Sequence, residues 1–327
     1  MTWRYHLRVS VAAAANLFLA AGLVACSSSS GKSDSKGGVT HLTVGSAANL
    51  ENVGLYHGTQ SGIFAKNGLS VTPKVVTSGQ QAVPQLLNGQ LQFTATDPLG
   101  AILAISHKVP LVMVAPAGVV SSDPAQDSTG LLAKSSVSSL AELDGKTIAV
   151  NSVGGLGQLA VEAAIDQAGG HSSTVKWVEL PQPQMTAAVK AGRVFAAAET
   201  EPYVTEGKDQ GLANISSASS VALAGIPYVL YATSKSYATS HPSTVAAFAT
   251  SLYAANGAVG ADPKLIRTIG AKSTDVSPKV INKMVLPPFS SDHLSLSVLN
   301  KLQDLMVKYK LLPAPLDLSQ NVYSAAS

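Results

Sequence analysis

Two acid–proline steps, Asp97-Pro98 and Glu201-Pro202, fall at matching places in a chain that repeats its own pattern. Each proline stands nine or ten residues beyond a glycine, Gly89 or Gly192. A carboxylate at a strand end can accept from an ammonium or ring N–H of a ligand. It can equally cap the helix behind its proline by accepting from the unpaired N–H groups there, and the two roles are compatible. A second candidate is the turn Gly154-Gly155-Leu156-Gly157, which follows a predicted strand and opens a predicted helix. Free N–H groups and the helix dipole at such a junction favour an anion, whereas glycines serving only the turn and close packing would bind nothing. Gly155-x-Gly157-x-x-Ala160, with Glu179 ending the next strand, also fits a degenerate dinucleotide fingerprint. The counterpart at Ser46 lacks the glycines, which disfavours that reading. Tyr56 and Tyr203 are candidates to stack on a ligand, against packing at lobe edges with the hydroxyl in water. Trp177 falls in mid-strand and is expected in the core.

Other chemistries lack their residues. The chain has no Gly-x-Ser-x-Gly elbow and no His-Glu-x-x-His. His41, His57, His107, His171, His241 and His293 are dispersed without metal spacing. Gly31-Lys32-Ser33 and Gly145-Lys146-Thr147 lack the upstream glycine of a phosphate loop. No metal or cofactor is expected. The solitary cysteine, Cys26, closes the run Leu23-Val24-Ala25-Cys26, after Arg4, Arg8 and an apolar stretch from Val9 to Val24 broken by Ser10 and Asn16. This resembles a bacterial lipoprotein signal with its lipobox, which predicts removal of residues 1–25 and lipid on Cys26. An ordinary secretory signal or a short membrane anchor is the alternative, although the run is short for a spanning helix of about 20 residues. Residues 26–38, Ser, Gly, Lys and Asp after the cysteine, read as a flexible tether. Without Arg4 and Arg8 the remaining Lys and Arg nearly balance the 19 acids and are scattered along the chain, which argues against a nucleic-acid partner. With the cysteine acylated, no thiol is left for a disulfide or a nucleophile.

The elements that must position these residues alternate strand and helix, twice. In the first copy Leu42–Gly45 reads as a strand, Asn52–Lys66 as a helix, Val71–Val76 as a strand, Gln80–Asn88 as a helix and Leu91–Ala95 as a strand. In the second, Thr147–Val150, Gly155–Ala168, Val175–Leu180, Gln184–Ala191 and Val194–Ala198 repeat that order. Val161, Ala164, Ile165 and Ala168 fall on one face of the second-copy helix, and Gln158, Glu162 and Asp166 on another. Such alternation predicts two α/β lobes, each a doubly wound, mostly parallel sheet. Leu131–Ala133 reads as the outward crossing and Ile226–Ala232 as a strand returning to the first lobe. The remainder reads as helical. Pro242 opens a helix after Ser240, with Val245, Phe248, Ala249 and Leu252 at core spacing. A last helix is expected to be capped by Asp292, with Val298, Leu302, Leu305 and Tyr309 as its buried stripe. The expected division is 39–130 with 231–327 as lobe 1 and 131–230 as lobe 2, hinged near 129–133 and 227–232.

Ligands of open parallel sheets sit beyond the carboxyl ends of the strands. The loops there are Ser46-Ala47-Ala48-Asn49, Ser78-Gly79-Gln80 and Asp97-Pro98 from the first lobe, and Asn151–Gln158 and Glu199–Tyr203 from the second. Ser78-Gly79-Gln80 opening a helix, Leu91–Asp97 after Gly89, the run Leu140–Val150, Gly154–Gln158 and Glu201-Pro202-Tyr203 together resemble the solute-binding proteins of ABC importers, in the nitrate, sulfonate, taurine and thiamine-precursor group. The resemblance covers about Leu42 to Leu318. It implies a monomeric, two-lobed, periplasmic-binding-protein-like fold of type II that closes on a small-molecule ligand at the outer face of the membrane and delivers it to an ABC permease with its ATPase. The ligand-binding residues it implies are Ser46, Ala47, Asn49, Ser78, Gly79, Gln80, Asp97, Ser152, Gly154, Gly155, Leu156, Gly157, Glu201 and Tyr203. Sulfonate binders of this group tend to carry Ser, Thr or His where Gly155 to Gln158 stand here, and an aromatic where Thr200 stands. Both departures weaken an alkanesulfonate or nitrate assignment and admit a larger or less acidic ligand. Thiamine-pyrimidine synthases share the fold but rely on a cysteine-rich motif that this chain lacks. A sensor or adhesion lipoprotein on the same fold is the remaining alternative.

Overall fold

The computed structural model describes residues 38–324 except 48, 77, 274 and 275. Cys26, its signal, the tether through residue 37, and Ala48 therefore lie outside the described residues. Strands β1 (Thr40–Ser46) and β2 (Leu69–Val75) are joined through α1 (Val53–Gln60) and α2 (Ile63–Lys66). Next come α3 (Gly79–Leu87), β3 (Phe93–Thr96), α4 (Pro98–Ser106) and β4 (Leu111–Pro116). The chain then builds β5 (Thr129–Ala133), β6 (Thr147–Val150), α5 (Leu156–Gln167), β7 (Lys176–Glu179), α6 (Gln182–Lys190), β8 (Ala196–Thr200), α7 (Tyr203–Asp209), β9 (Ala213–Asn214) and α8 (Ala218–Ala222). It closes with β10 (Leu230–Ser234), α9 (Lys235–Ser240), α10 (Pro242–Ala261), α11 (Pro263–Ser273), α12 (Pro278–Lys283) and α13 (Leu296–Lys308).

The strands form two five-stranded sheets of one plan, β2-β1-β3-β10-β4 and β7-β6-β8-β5-β9. In each, three strands run parallel, and the fourth in the order is antiparallel to both its neighbours. Those antiparallel strands are the exchanged ones. β10 enters the first sheet after the second is built, and β5 enters the second directly after the first. The β6 bounds are those the apolar run Thr147–Val150 predicts.

Each sheet buries both faces, as crossover helices require. Around β1, β3 and β10, Phe93 stacks on Phe248 of α10 with ring centroids 3.9 Å apart. In the second sheet Leu132, Ala149 and Ala197 face α6 and α7, while Leu131, Ile148 and Ala196 face α5. The α5 cluster continues into Leu99 and Ile102 of α4, Leu230 and Ala232 of β10, and Leu299, Leu302 and Met306 of α13. One apolar core thus runs from lobe to lobe beneath the crossing strands.

Several elements differ from the sequence expectation. The helix predicted over 52–66 is split into α1 and α2, because Gly62 sits at φ 75° and turns the chain. The last helix is capped by Ser295, whose hydroxyl accepts from the Ser297 N–H, and not by Asp292. Its buried stripe is Leu299, Leu302, Gln303 and Met306; Val298, Leu305 and Tyr309 flank it. Ala168 is the exposed C-cap of α5, and Gln158, expected on the polar face, is buried by its contacts in the loop before the helix. Trp177 is half-buried, since β7 is an edge strand. Residues 226–229 run as an irregular crossing before β10 begins.

Candidate functional site

The carboxyl ends of β1, β2, β3, β6 and β8 carry the loops singled out above, and each is fixed by its own hydrogen bonds. Ser46 ends β1 fully buried, its hydroxyl 3.1 Å from the Tyr56 hydroxyl. Asn52 donates to the Ala47 carbonyl and to Asn49 Oδ1, and accepts from Tyr231 of β10 at 2.6 Å. These bonds lock the turn from Asn49 to Asn52 onto the first sheet. Ser78 caps α3 by accepting from the Gln81 N–H. Gly79 permits the close approach of α3 to β3, since a Cβ there would stand 2.4 Å from the Ala95 carbonyl oxygen. Asp97 caps α4, accepting from the Gly100 N–H at 2.7 Å, and the Gln80 amide lies over the same glycine. Burial raises the Asp97 carboxyl above its usual range, against the N–H groups that lower it.

In the second lobe Gly154 sits at φ 74°, a conformation that favours glycine. Its N–H donates to Gln158 Oε1 at 2.8 Å, the Val153 N–H to Glu179 Oε2, and the Gly155 N–H to the Ser152 carbonyl. Glu201 is 3% exposed. It accepts from the Thr205 N–H and hydroxyl at 3.0 and 2.9 Å, and from the Val285 N–H at 3.2 Å. Val285 follows Met284, which packs with Leu50 and Val53 of the first lobe, so this carboxylate ties the lobes together. Tyr203 opens α7 half-buried.

Two residues absent from the sequence expectation stand at the centre. Glu51, in the turn between Asn49 and α1, is 2% exposed, and its Oε2 has no hydrogen-bond partner. The crossing segment presses on it: a Cβ at Gly118 would stand 2.9 Å from Glu51 Cγ. Burial first, and then the Glu201 carboxylate, push the Glu51 carboxyl up to about 7, with its own backbone N–H opposing. Tyr228, on the return crossing, has its phenol held well above the usual range by burial and then by the carboxylates of Glu51, Asp97 and Asp127. Asp127 is itself satisfied by Thr129 and the Ser220 N–H. Tyr228 therefore feels the charges of Glu51 and Asp97, and Glu51 feels that of Glu201. Tyr228 also lines, with Gly157, Thr129 and Ser219, a cavity of about 10 Å³, roughly the room one water needs.

The contacts of Ser78, Gly79 and Gln80 run to Gln81, Ala95, Thr96 and Gly100, all within the first lobe. A larger hollow of about 400 Å³, lined by Lys134, Arg193 and Phe195, lies at the amino ends of β6 and β8, away from these loops. Among the described residues no cluster of three or more His, Cys, Asp or Glu could hold a metal, and no helix is long and apolar enough to cross a membrane.

The family model described as NMT1/THI5 like matches residues 49–266. No curated protein sequence matches the chain. Among solved structures, the periplasmic aliphatic sulphonate binding protein SsuA from Escherichia coli is 18% identical, with a TM-score of 0.73 over 87% of this chain and 97% of that one. The alkanesulfonate-binding protein SsuA from Xanthomonas axonopodis pv. citri, bound to MOPS, is 20% identical, with a TM-score of 0.73 over 89% and 100%. The periplasmic nitrate-binding protein NrtA from Synechocystis PCC 6803 is 14% identical, with a TM-score of 0.71 over 85% and 84%. At such identities the likeness establishes the two-lobed α/β fold.

Proposed function

The chain belongs to the NMT1/THI5-like family, and from that membership we propose that it is the extracytoplasmic solute-binding component of an ABC importer. It captures a small organic solute by closure and performs no turnover. The solute classes we infer for it are a sulfonate or taurine-like anion and a heterocyclic vitamin precursor. The observation that carries the reading is the sheet plan repeated in the two halves, with β10 and β5 as the strands exchanged between them. Residues 39–130 with 231–327 form one lobe and 131–230 the other, and the segments near 129–133 and 227–232 are the hinge. Ser46, Asn49, Ser78–Gln80, Asp97, the Ser152–Gly157 turn, Glu201 and Tyr203 line the cleft. Lipid on Cys26 tethers a monomer to the membrane, where it meets its permease.

A solute that touches both lobes binds the closed form better, and that difference shifts the hinge equilibrium. The test is thermal unfolding of the full chain with taurine, alkanesulfonates, nitrate, aminopyrimidines and simple amines, paired with small-angle scattering. A solute at about 100 times its Kd adds roughly 2.7 kcal/mol and visibly raises the midpoint. A raised midpoint with a more compact scattering profile is the expected result. Identical profiles at saturation would remove closure, and turnover of the bound solute would turn the reading into an enzyme.

A further inference from the structure

We propose that the solute carries a positively charged nitrogen, which Glu51 of the first lobe and Glu201 of the second meet from opposite sides of the cleft. This rests on the solute-binding reading above and narrows it. Glu51 is almost wholly removed from water, yet Oε2 has no donor. A buried carboxylate oxygen without a donor is costly and calls for a partner. Asn52 and Tyr231 hold the turn that carries it, so Glu51 is fixed where it stands. Glu201 is held by Thr205 and Val285, so both acids are positioned before any ligand arrives.

The charge carried by the surrounding loops is acidic, and Lys208 of α7 is the cation that acts on Glu201. Segments 46–60, 78–81, 97–107, 117–130, 151–162, 199–205 and 226–229 hold Glu51, Asp97, Asp123, Asp127, Glu162, Glu199 and Glu201, and contain no Lys or Arg. The N–H groups of Val153, Gly154 and Gly155, the donors most suited to an anion, are already bonded within their own loop. A sulfonate or nitrate would meet carboxylates and few free donors. A cation would offset the repulsion between Glu51 and Glu201, and it gains both acids only when the lobes are together, which is the differential affinity that closure requires. Two carboxylates with no third metal-type ligand suit an organic ammonium or amidinium better than a metal ion.

The experiment measures binding to the full chain at pH 8 by calorimetry and thermal unfolding. The paired probes are benzamidine against neutral benzamide, and ethylamine against ethanesulfonate, with nitrate added. At least one cation should bind while its neutral or anionic counterpart does not, and Glu51→Gln should weaken that cation tenfold or more. Glu201→Gln, which keeps its acceptor oxygen for Val285, is read in parallel in case the first variant folds poorly. Binding of sulfonate or nitrate without any cation would overturn the charge assignment and leave the receptor reading standing. Equal cation affinity in wild type and both variants would overturn it too. Silence from every probe here and in the wider panel would count against both.

Discussion

The loops that leave β1 and β6 occupy the same place in two sheets of the same plan, yet they handle their polar groups in opposite ways. After β6, Val153, Gly154 and Gly155 donate to Glu179, Gln158 and Ser152, and Gln158 passes its amide on to Glu162. The loop is satisfied within its own lobe. After β1, two asparagines and Tyr231 fasten the turn, but the acid between them is left with an unpaired oxygen beneath the crossing segment. Duplicated topology has not duplicated chemistry. The polar demand sits in the loop whose hydrogen bonds do not close on themselves, because an unpaired buried group is where a ligand gains most.

Replacing the acid itself tests that contrast most strongly. In the folded protein the Glu51 carboxyl is raised from 4.5 to about 7 by burial and by Glu201. The folded state therefore holds that proton more tightly than the unfolded chain. Its contribution to stability is full below pH 4.5 and is lost as pH rises to about 7. The loss is on the order of 3 kcal/mol. Without ligand, Glu51→Gln should match wild type near pH 4.5 and exceed it at pH 8 by up to that amount, read from denaturant midpoints. Some fall with pH should persist in the variant, since burial also pushes Glu199 up to about 8. A variant no more stable than wild type at pH 8 would mean that Glu51 finds a partner in solution, and the difference between the loops would vanish.

The acid–proline steps give a smaller effect. Asp97 caps α4 by accepting from the Gly100 N–H, a role worth about 1 kcal/mol. Glu201 accepts from Thr205 twice and from Val285 across the lobes, and its loss strands buried donors at roughly 2–3 kcal/mol. Glu201→Ala should therefore cost more than Asp97→Ala in urea denaturation at neutral pH. Equal losses would reduce Glu201 to a cap like its counterpart.

The strand and helix order, the two crossings and both acid–proline steps were legible because each leaves a local mark: an apolar run, a stop glycine, a proline fixing the start of a helix. Thr147–Val150 is an apolar run set between Gly145-Lys146 and Asn151-Ser152, and its limits hold. Glu51 was not legible. It lies in a three-residue turn that reads as the approach to a helix beginning at Asn52, and what buries it includes Gly118, far along the chain. Tyr228 reads as part of the strand expected over 226–232, and its raised phenol comes from burial and then from carboxylates of three separate segments. The Gly154 turn was placed correctly as a junction, but the use of its N–H groups by Glu179 and Gln158 depends on side-chain geometry that spacing does not encode. The cap at Ser295 was missed because Asp292 and Ser295 are equally good capping residues by type.

The mildest contrast lies between two ties that join α7 and its flank to the segment around α12. One is buried, Glu201 to the Val285 N–H; the other is exposed, Lys283 Nζ to both oxygens of Asp209 at 3.0 Å. Lys283 and Asp209 are roughly half open to solvent, so water and salt screen the pair, and such pairs contribute about 0–1 kcal/mol. Lys283→Ala should lower stability by about 0.5 kcal/mol or less, and the loss should disappear at 1 M salt, where the screening length falls to about 3 Å. Its effect on closure should be equally slight, because breaking the pair frees two side chains that water solvates again. A large, salt-independent loss would place the inter-lobe tie at the surface and make the Glu201 bond subsidiary to it.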